Sequence, residues 1–326
     1  MSVLGVGVLG CAAIAQSRTI PALIADPLVR LVAVASRTGE KARAVADRFG
    51  CAAVTGYGAL LKRRDIEAVY VPLPPALHTE WIGKALAAGK HVLAEKPLAL
   101  NRTEAATLVS AARTDGRLLM ENFAFPFHTQ HATAQQLIGQ GAIGEPRSFT
   151  AEFGFPPLPS DNIRYQPALG GGALLDAGVY TLRAAGLGLG WGLRVEGATL
   201  RRDRARGVDA GGAALVSTPD GRTGQLSFGF DRAYRCAYSV WGSEGSITLP
   251  RAFTAPPGLR PVLRLERQDH VEKRTLSADD QVAALVSAFV TTILQGEDLI
   301  APGEDILRQA HLLEAVREAV KDSRRR

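Results

Sequence analysis

The sequence is poor in cysteine, and its few thiols are badly placed for cross-linking. Cys11, Cys51 and Cys236 are odd in number and far apart, with no Cys-x-x-Cys pair. That spacing argues against a disulfide framework and against a zinc cage, and it fits a reducing cytoplasm. No apolar run is long enough to cross a bilayer, so no membrane partner is expected. Aromatic residues are only 6% of the chain and interleave with no basic stripe, so the footprint of a nucleic-acid binder is missing. The apolar opening resembles a secretory leader only superficially. It has no basic start, and it carries Gly5, Gly7 and Gly10. It reads instead as a strand running into a loop.

What is present is a globular composition of 326 residues, 46% hydrophobic and 21% charged, long enough for two domains. Lys and Arg outnumber Asp and Glu by 38 to 32, a net charge of +6, and the pI is near 9.4. Most cations are scattered arginines. The dense run is Arg324-Arg325-Arg326, which reads as a solvated end, and Arg201-Arg202 is a lesser cluster. A positive field suits a phosphorylated ligand.

The first third alternates strand and helix. Strands are predicted over Val3–Leu9, Leu28–Ala35, Ala68–Val71, His91–Ala94 and Leu118–Asn122, and helices over Ala13–Ala25, Gly39–Phe49, Leu77–Ala88 and Arg102–Thr114. This grammar predicts an α/β fold whose residues 1–122 form a Rossmann-type, doubly wound parallel sheet. Beyond about residue 145, period-two alternation takes over. It marks strands near Arg147–Phe155, Arg194–Arg201, Ala213–Ser217, Gly224–Phe230, Arg235–Trp241, Ser246–Leu249 and Pro261–Arg267. A helix follows Gly170-Gly171-Gly172, and two amphipathic helices close the chain near Ala278–Leu294 and Glu304–Lys321. Residues 123–326 are therefore expected to form an α+β domain on an open, mostly antiparallel sheet.

Gly10-Cys11-Ala12-Ala13-Ile14-Ala15 joins the first strand to the first helix. Set on the pattern GxGxxG, it keeps the first glycine, where a tight turn is needed, and has alanine at the other two positions. The helix start then offers free N–H groups to a pyrophosphate. NAD enzymes close the second strand with Asp or Glu, which binds the ribose 2′-hydroxyl. Here the chain reads Val34-Ala35-Ser36-Arg37. A carboxylate would repel a 2′-phosphate, whereas Ser36 can donate to one, Arg37 can pair with it, and Lys41 can add a second charge. The expected cofactor is NADP(H).

Glu95-Lys96-Pro97 follows the strand His91–Ala94 at the carboxyl edge of the sheet, where ligands bind in such folds. A lysine there can donate to a carbonyl oxygen. Asp176 and Tyr180 are four apart on one helix and share a face. A phenol aimed at a carbonyl can deliver the proton as hydride reaches carbon, and a lysine ammonium nearby would lower its pKa and stabilise the alkoxide. His128 and His131, three apart, could join Glu121 around a metal. They read instead as lying on a helix surface, and no metal is expected. Trp81, Trp191 and Trp241 read as core or interface residues.

Several stretches together carry a family resemblance. They are Gly10–Ala15, Val69-Tyr70-Val71-Pro72-Leu73-Pro74 through His78, Ala87-Ala88-Gly89-Lys90-His91-Val92-Leu93-Ala94-Glu95-Lys96-Pro97-Leu98, Gly170–Tyr180 and Trp241-Gly242-Ser243-Glu244-Gly245. They resemble the Gfo/Idh/MocA oxidoreductases. Ile163-Arg164-Tyr165, Gln225–Phe230 and Arg251-Ala252-Phe253-Thr254 narrow the likeness to the sugar 3-ketoreductases of dTDP-deoxysugar biosynthesis, kijanose-pathway type. The chain departs from the family at Ala12, in place of the second glycine, and at Pro75, which often is polar.

By that resemblance the cofactor lies along Gly10, Cys11, Ala12, Ala13, Ile14, Ser36, Arg37 and Tyr57. It continues past Leu73, Pro74, His78, Glu95, Lys96 and Asn122, with Arg164 and Asp176 near the nicotinamide. Lys96 and Tyr180 flank the substrate carbonyl, and Tyr234 and Thr254 lie near the nucleotide sugar. The implied reaction reduces the 3-keto group of a dTDP-3,4-diketo-2,6-dideoxyhexose, a step in antibiotic-sugar synthesis. A homodimer or homotetramer through the C-terminal sheet is implied as well. Two alternatives stay open: an NADP-dependent dehydrogenase of a free sugar, polyol or trans-dihydrodiol, and a non-enzymatic NADPH-sensing protein.

Overall fold

Apolar runs of strand length, separated by segments of helical period, set the order of the first elements. The computed structural model describes residues 2–296 and 298–323, so the Arg324–Arg326 run lies outside the described residues. The chain begins β1 (Leu4–Leu9), α1 (Ile20–Ala25), β2 (Val29–Ser36), α2 (Gly39–Phe49), β3 (Ala52–Thr55), α3 (Tyr57–Leu61), β4 (Ala68–Val71), α4 (His78–Ala87), β5 (His91–Ala94), α5 (Arg102–Thr114) and β6 (Leu119–Glu121). All pairings in this sheet are parallel, in the order β3-β2-β1-β4-β5-β6. The order reverses between β1 and β4, which opens a crevice at their carboxyl ends. β1, β4 and β5 are buried along their whole length, as expected of strands covered on both faces.

Two elements escaped the sequence pattern. β3 is a largely exposed edge strand without a buried face, and α3 has only five residues, too few to show a helical period. The helix leading into α1 widens into a π turn over Ala15–Thr19, just ahead of Pro21. Pro21 has no N–H to donate to the preceding turn, and the wider turn accommodates that loss.

The remaining elements are α6 (Thr129–Gly139), β7 (Pro146–Gly154), α7 (Val179–Leu189), β8 (Arg194–Asp203), β9 (Val208–Ser217), β10 (Thr223–Gly229), β11 (Arg235–Gly242), β12 (Ser246–Leu249), β13 (Val262–Arg267), β14 (His270–Thr275), α8 (Gln281–Gln295) and α9 (Ala301–Ser323). Eight strands form one sheet in the order β14-β13-β12-β11-β7-β10-β9-β8, antiparallel except at β10–β7. β14, unforeseen, is a charged edge strand, His270-Val271-Glu272-Lys273-Arg274-Thr275, with no apolar alternation to betray it.

Phe149, Ala151 and Phe153 of β7 and Leu226 and Phe228 of β10 are buried on the face covered by α7. Their neighbours face the other way. On that outer face Trp241 is 66% exposed and Leu215 44%. A depression of about 590 Å³ there is lined by Thr150, Ala213, Leu215, Gln225 and Ser227, among others. Trp81 and Trp191 are half-buried.

The chain divides into two compact units. One holds the chain up to Ala124 together with Val282–Leu307, and the other holds Phe125–Gln281 and the chain from Arg308 on. The sequence grammar had placed everything after Asn122 in the second domain. Val282–Leu307 returns to the first because its residues pack there: Glu304 pairs with Arg113 of α5, and Gly303 lies against Val109. No helix among the described residues is long and apolar enough to cross a membrane.

Candidate active site

Gly10 ends β1 with φ +130°, a conformation that favours glycine, and its N–H donates to Ala35 O at 2.9 Å. A Cβ there would sit 3.1 Å from Leu73 Cδ2. Ala12 is half-buried, while Ala13 and Ile14 are exposed at the first turn of the helix, where N–H groups lack intrahelical acceptors. Cys11 turns inward, its Sγ 3.7 Å from Lys41 O, and burial pushes its thiol pKa up. It therefore presents backbone, not sulfur, to a ligand.

Ser36 closes β2 with its side chain buried, and its hydroxyl accepts the Thr38 N–H at 3.5 Å. Arg37 is exposed, and its charge opposes the burial that raises the Tyr57 phenol. Tyr57 stands edge-on to Trp81 at 5.0 Å. This corner offers a hydroxyl and a guanidinium, and residues 37–39 contain no carboxylate. The donor set fits a 2′-phosphate.

Lys96 leaves the carboxyl end of β5, and the Lys96–Pro97 peptide is cis. Buried side chains grip the turn that follows. His78 Nδ1 lies 3.0 Å from Pro97 O and 3.1 Å from Leu98 O, its Nε2 lies 2.8 Å from Leu73 O, and Glu121 Oε1 accepts the Leu98 N–H at 2.9 Å. His78 is 0% exposed. Its imidazole lies among backbone carbonyls and braces the turn, and burial lowers its pKa.

Glu95 Oε1 accepts from Tyr70 Oη and from Asn122 Nδ2, both at 2.6 Å, and Asn122 also donates to Thr19 Oγ1 at 3.2 Å. Burial, then the Glu95 charge, lifts the Tyr70 phenol well above its ordinary value. Asn122 Oδ1 is buried and has no hydrogen-bond partner, so it can take a donor. Leu73 is buried and Pro74 half-buried. Tyr70, Glu121 and Thr19 were not foreseen as site residues. The one clue was a tyrosine and a glutamate each set within an apolar strand.

In the second unit, a π turn over Leu174–Gly178 leads directly into α7 and carries Asp176, with Tyr180 following. Such turns recur at functional sites. Asp209 of β9 fixes the start: its Oδ2 accepts the Leu174 N–H at 2.6 Å. Burial pushes the Asp209 carboxyl up, and that N–H opposes the shift. Gly172, at φ +125°, makes room for it, since a Cβ would lie 2.5 Å from Asp209 Oδ1. Nothing local in the sequence links Asp209 to this helix.

Arg164 Nε donates to Asp176 Oδ2 at 2.6 Å, with Asp176 the more buried partner. The Tyr180 ring is packed by Phe153, Phe253 and Phe125, with centroids 4.9, 5.8 and 6.0 Å away. Tyr234 and Thr254 are brought together, their hydroxyl oxygens 2.5 Å apart. His128 and His131 are not on a helix surface: they are 1% and 4% exposed. His131 lies 3.0 Å from both Tyr238 Oη and Ala252 O, and burial drives its pKa down to about 3. The helix turns this side to the core, where both ring nitrogens of His131 find partners while His128 Nε2 is buried without one. No cluster of three or more His, Cys, Asp or Glu able to hold a metal occurs among the described residues.

The model of an oxidoreductase family with an NAD-binding Rossmann fold, GFO_IDH_MocA, matches residues 4–123, and that of a GFO/IDH/MocA C-terminal domain matches residues 131–248. The chain is 51% identical to dTDP-3,4-didehydro-2,6-dideoxy-alpha-D-glucose 3-reductase of Actinomadura kijaniata, across 97% of this chain and 96% of that one. It is also 51% identical to the protein of the same name from Streptomyces violaceoruber, across 97% and 95%. A solved 3-ketoreductase from Actinomadura kijaniata, in complex with NADP and TDP-benzene, matches with a TM-score of 0.96 at 51% identity over 98% of both chains. Variants of it solved with the same ligands have a tyrosine changed to phenylalanine and a lysine changed to alanine or glutamate.

Proposed function

The chain belongs to the Gfo/Idh/MocA oxidoreductase family, and from that premise we infer that it is an NADPH-dependent sugar 3-ketoreductase. It reduces the 3-keto group of a dTDP-3,4-diketo-2,6-dideoxyhexose to give a dTDP-4-keto-2,6-dideoxyhexose. The observation that carries this reading is 51% identity, over nearly the full length, to reductases of that reaction. The intact set of Lys96, Asp176 and Tyr180 supports it. So does a Ser36–Arg37 corner suited to a 2′-phosphate.

NADPH, when bound, supplies a hydride to C3. The first-turn amides after Gly10 hold its pyrophosphate, and Ser36 and Arg37 hold its 2′-phosphate. Asn122 Oδ1, buried without a partner beside the Lys96 turn, would accept a donor from the bound cofactor. Lys96 and Tyr180 between them deliver the proton to the carbonyl oxygen and stabilise the alkoxide as it forms. His78 and Glu121 keep the Lys96 turn in place, and Asp209 and Arg164 do the same for the helix start that carries Asp176.

The outer face of the second sheet, with Trp241 and Leu215 exposed among small side chains, supports a homodimer or homotetramer formed through it. Three free thiols suit a cytoplasmic enzyme of antibiotic-sugar synthesis. The test is an assay of the enzymatically generated diketo sugar with NADPH. Substrate-dependent NADPH consumption, with the 4-keto-2,6-dideoxy product, is expected. Its absence rules the reading out. Turnover of unactivated sugars alone would select the free-sugar dehydrogenase instead.

A further inference from the structure

Thr19 is the last residue of the π turn Ala15–Thr19, and Tyr70 lies within β4. Neither reaches the surface: Thr19 is 1% exposed and Tyr70 0%. Hydroxyl groups buried beside an apolar sheet cost stability unless their hydrogen bonds are made. Valine and phenylalanine fill nearly the same volumes without that cost. Packing alone therefore does not account for the pair.

Their bonds close a ring with Glu95 and Asn122. Tyr70 Oη donates to Glu95 Oε1 at 2.6 Å. Asn122 Nδ2 donates to the same oxygen at 2.6 Å and to Thr19 Oγ1 at 3.2 Å. Thr19 bonds in turn to the Tyr70 phenol, which opposes the upward shift that burial and the Glu95 charge impose on it. A carboxylate only accepts, so the phenol proton goes to Glu95, and one amide proton joins it there. The other amide proton goes to Thr19, and the threonine proton is left for Tyr70. Every proton in the ring has one place.

That pattern fixes the Asn122 amide. Turned over, it would set Oδ1 against the Glu95 carboxylate, acceptor against acceptor. Oδ1 therefore faces away from the ring, where it is buried without a partner. A buried acceptor left open costs about 1–3 kcal/mol, and a ligand N–H relieves it. The π turn supplies a corner of the ring, because a widened turn changes where Thr19 falls around the helix.

We propose that Thr19 and Tyr70 are positioning residues for the cofactor: with Glu95 between them and Asn122, they hold the amide of Asn122 so that its oxygen meets the carboxamide N–H of the nicotinamide. The inference rests on the NADP assignment and not on the identity of the sugar. A nicotinamide ring held by its carboxamide keeps one face towards the substrate, which is the orientation that hydride transfer needs.

The test compares the binding of NADP with that of its 3-acetylpyridine analogue, in which a methyl group replaces the carboxamide NH2. Quenching of tryptophan fluorescence by each dinucleotide should show that the wild-type enzyme prefers NADP by about 3- to 10-fold, the range of one net hydrogen bond. Thr19→Val and Tyr70→Phe should each weaken NADP by about that factor and leave the analogue unchanged, so that the preference approaches unity. Thr19→Ser should restore it. A role confined to packing lowers both ligands alike, or neither, and either result overturns the proposal. So does a wild-type enzyme that binds the two dinucleotides equally. If Tyr70→Phe does not fold, Thr19→Val and Thr19→Ser carry the same test. No sugar enters the titration, so an enzyme inactive on the diketo sugar would lose the reductase reading and leave this result standing.

Discussion

Gly172→Ala should destabilise the second unit by about 2.5–5 kcal/mol, from two sources that the structure separates. The residue stands at φ +125°. A side chain in that region carries a strain of about 1–3 kcal/mol. The new Cβ would also lie 2.5 Å from Asp209 Oδ1. Asp209 must then move and release the Leu174 N–H it holds at 2.6 Å. A hydrogen bond to a charged group contributes about 1.5–3 kcal/mol. Burial of the Asp209 carboxylate offsets part of this, so Asp209→Ala alone should fall at the lower end of that range. In the Asp209→Ala background Gly172→Ala meets no carboxylate, and only the strain remains.

The double-mutant cycle should therefore show a coupling of about 1.5–2 kcal/mol. Urea unfolding followed by tryptophan fluorescence reads the total. Hydrogen exchange at the Leu174 amide reads the local part, which should accelerate by roughly 10- to 100-fold in either single variant. Because the π turn carries Asp176 and leads to Tyr180, kcat should fall with NADPH affinity preserved. If Gly172→Ala has the same effect in both backgrounds, the Asp209 explanation is refuted.

Arg37→Asp should weaken NADPH by about 100-fold or more, through loss of a charge-assisted hydrogen bond and new repulsion, while changing NADH little; equal effects in parallel fluorescence titrations would undo the NADP assignment. Tyr180→Phe should lower kcat far more than it alters NADPH affinity, and unchanged turnover would remove Tyr180 from the chemistry. His131 has a folded pKa of about 3 against an ordinary 6.5, so its contribution to stability is complete above pH 6.5 and is lost as pH falls towards 3. The loss from this group approaches about 2 kcal/mol by pH 5. His131→Gln should flatten the stability profile by that amount, and parallel wild-type and variant curves would contradict it. Glu121→Ala leaves the buried Leu98 N–H without its carboxylate acceptor, which should cost about 1–3 kcal/mol and reduce kcat through the Lys96 turn; a variant of unchanged kcat would show that Glu121 does not position that turn.

The local grammar of the sequence determined the first sheet. Buried strands such as Val92–Ala94, separated by amphipathic helices, admit a parallel arrangement, and α2 was delimited to the residue because Gly50 caps it at φ +68°. The loop at Gly10, the absence of an acid after Ser36, and Lys96 at the end of β5 were legible for the same reason: each lies within a few residues of the element that explains it. Short or edge elements, β3, α3 and β14, were not, because an exposed strand has no buried face to repeat. Tertiary structure alone decided what depends on residues far apart in the chain. It buried His78 and His131, braced Glu95 between Tyr70 and Asn122, brought Asp209 to the amide of Leu174 and Arg251 over Tyr234, and returned Val282–Leu307 to the first unit. Hydrogen bonds and ion pairs of this kind leave no period in a sequence, since what fixes them is which strands and helices pack together, and that packing is settled by the burial of the whole apolar surface at once.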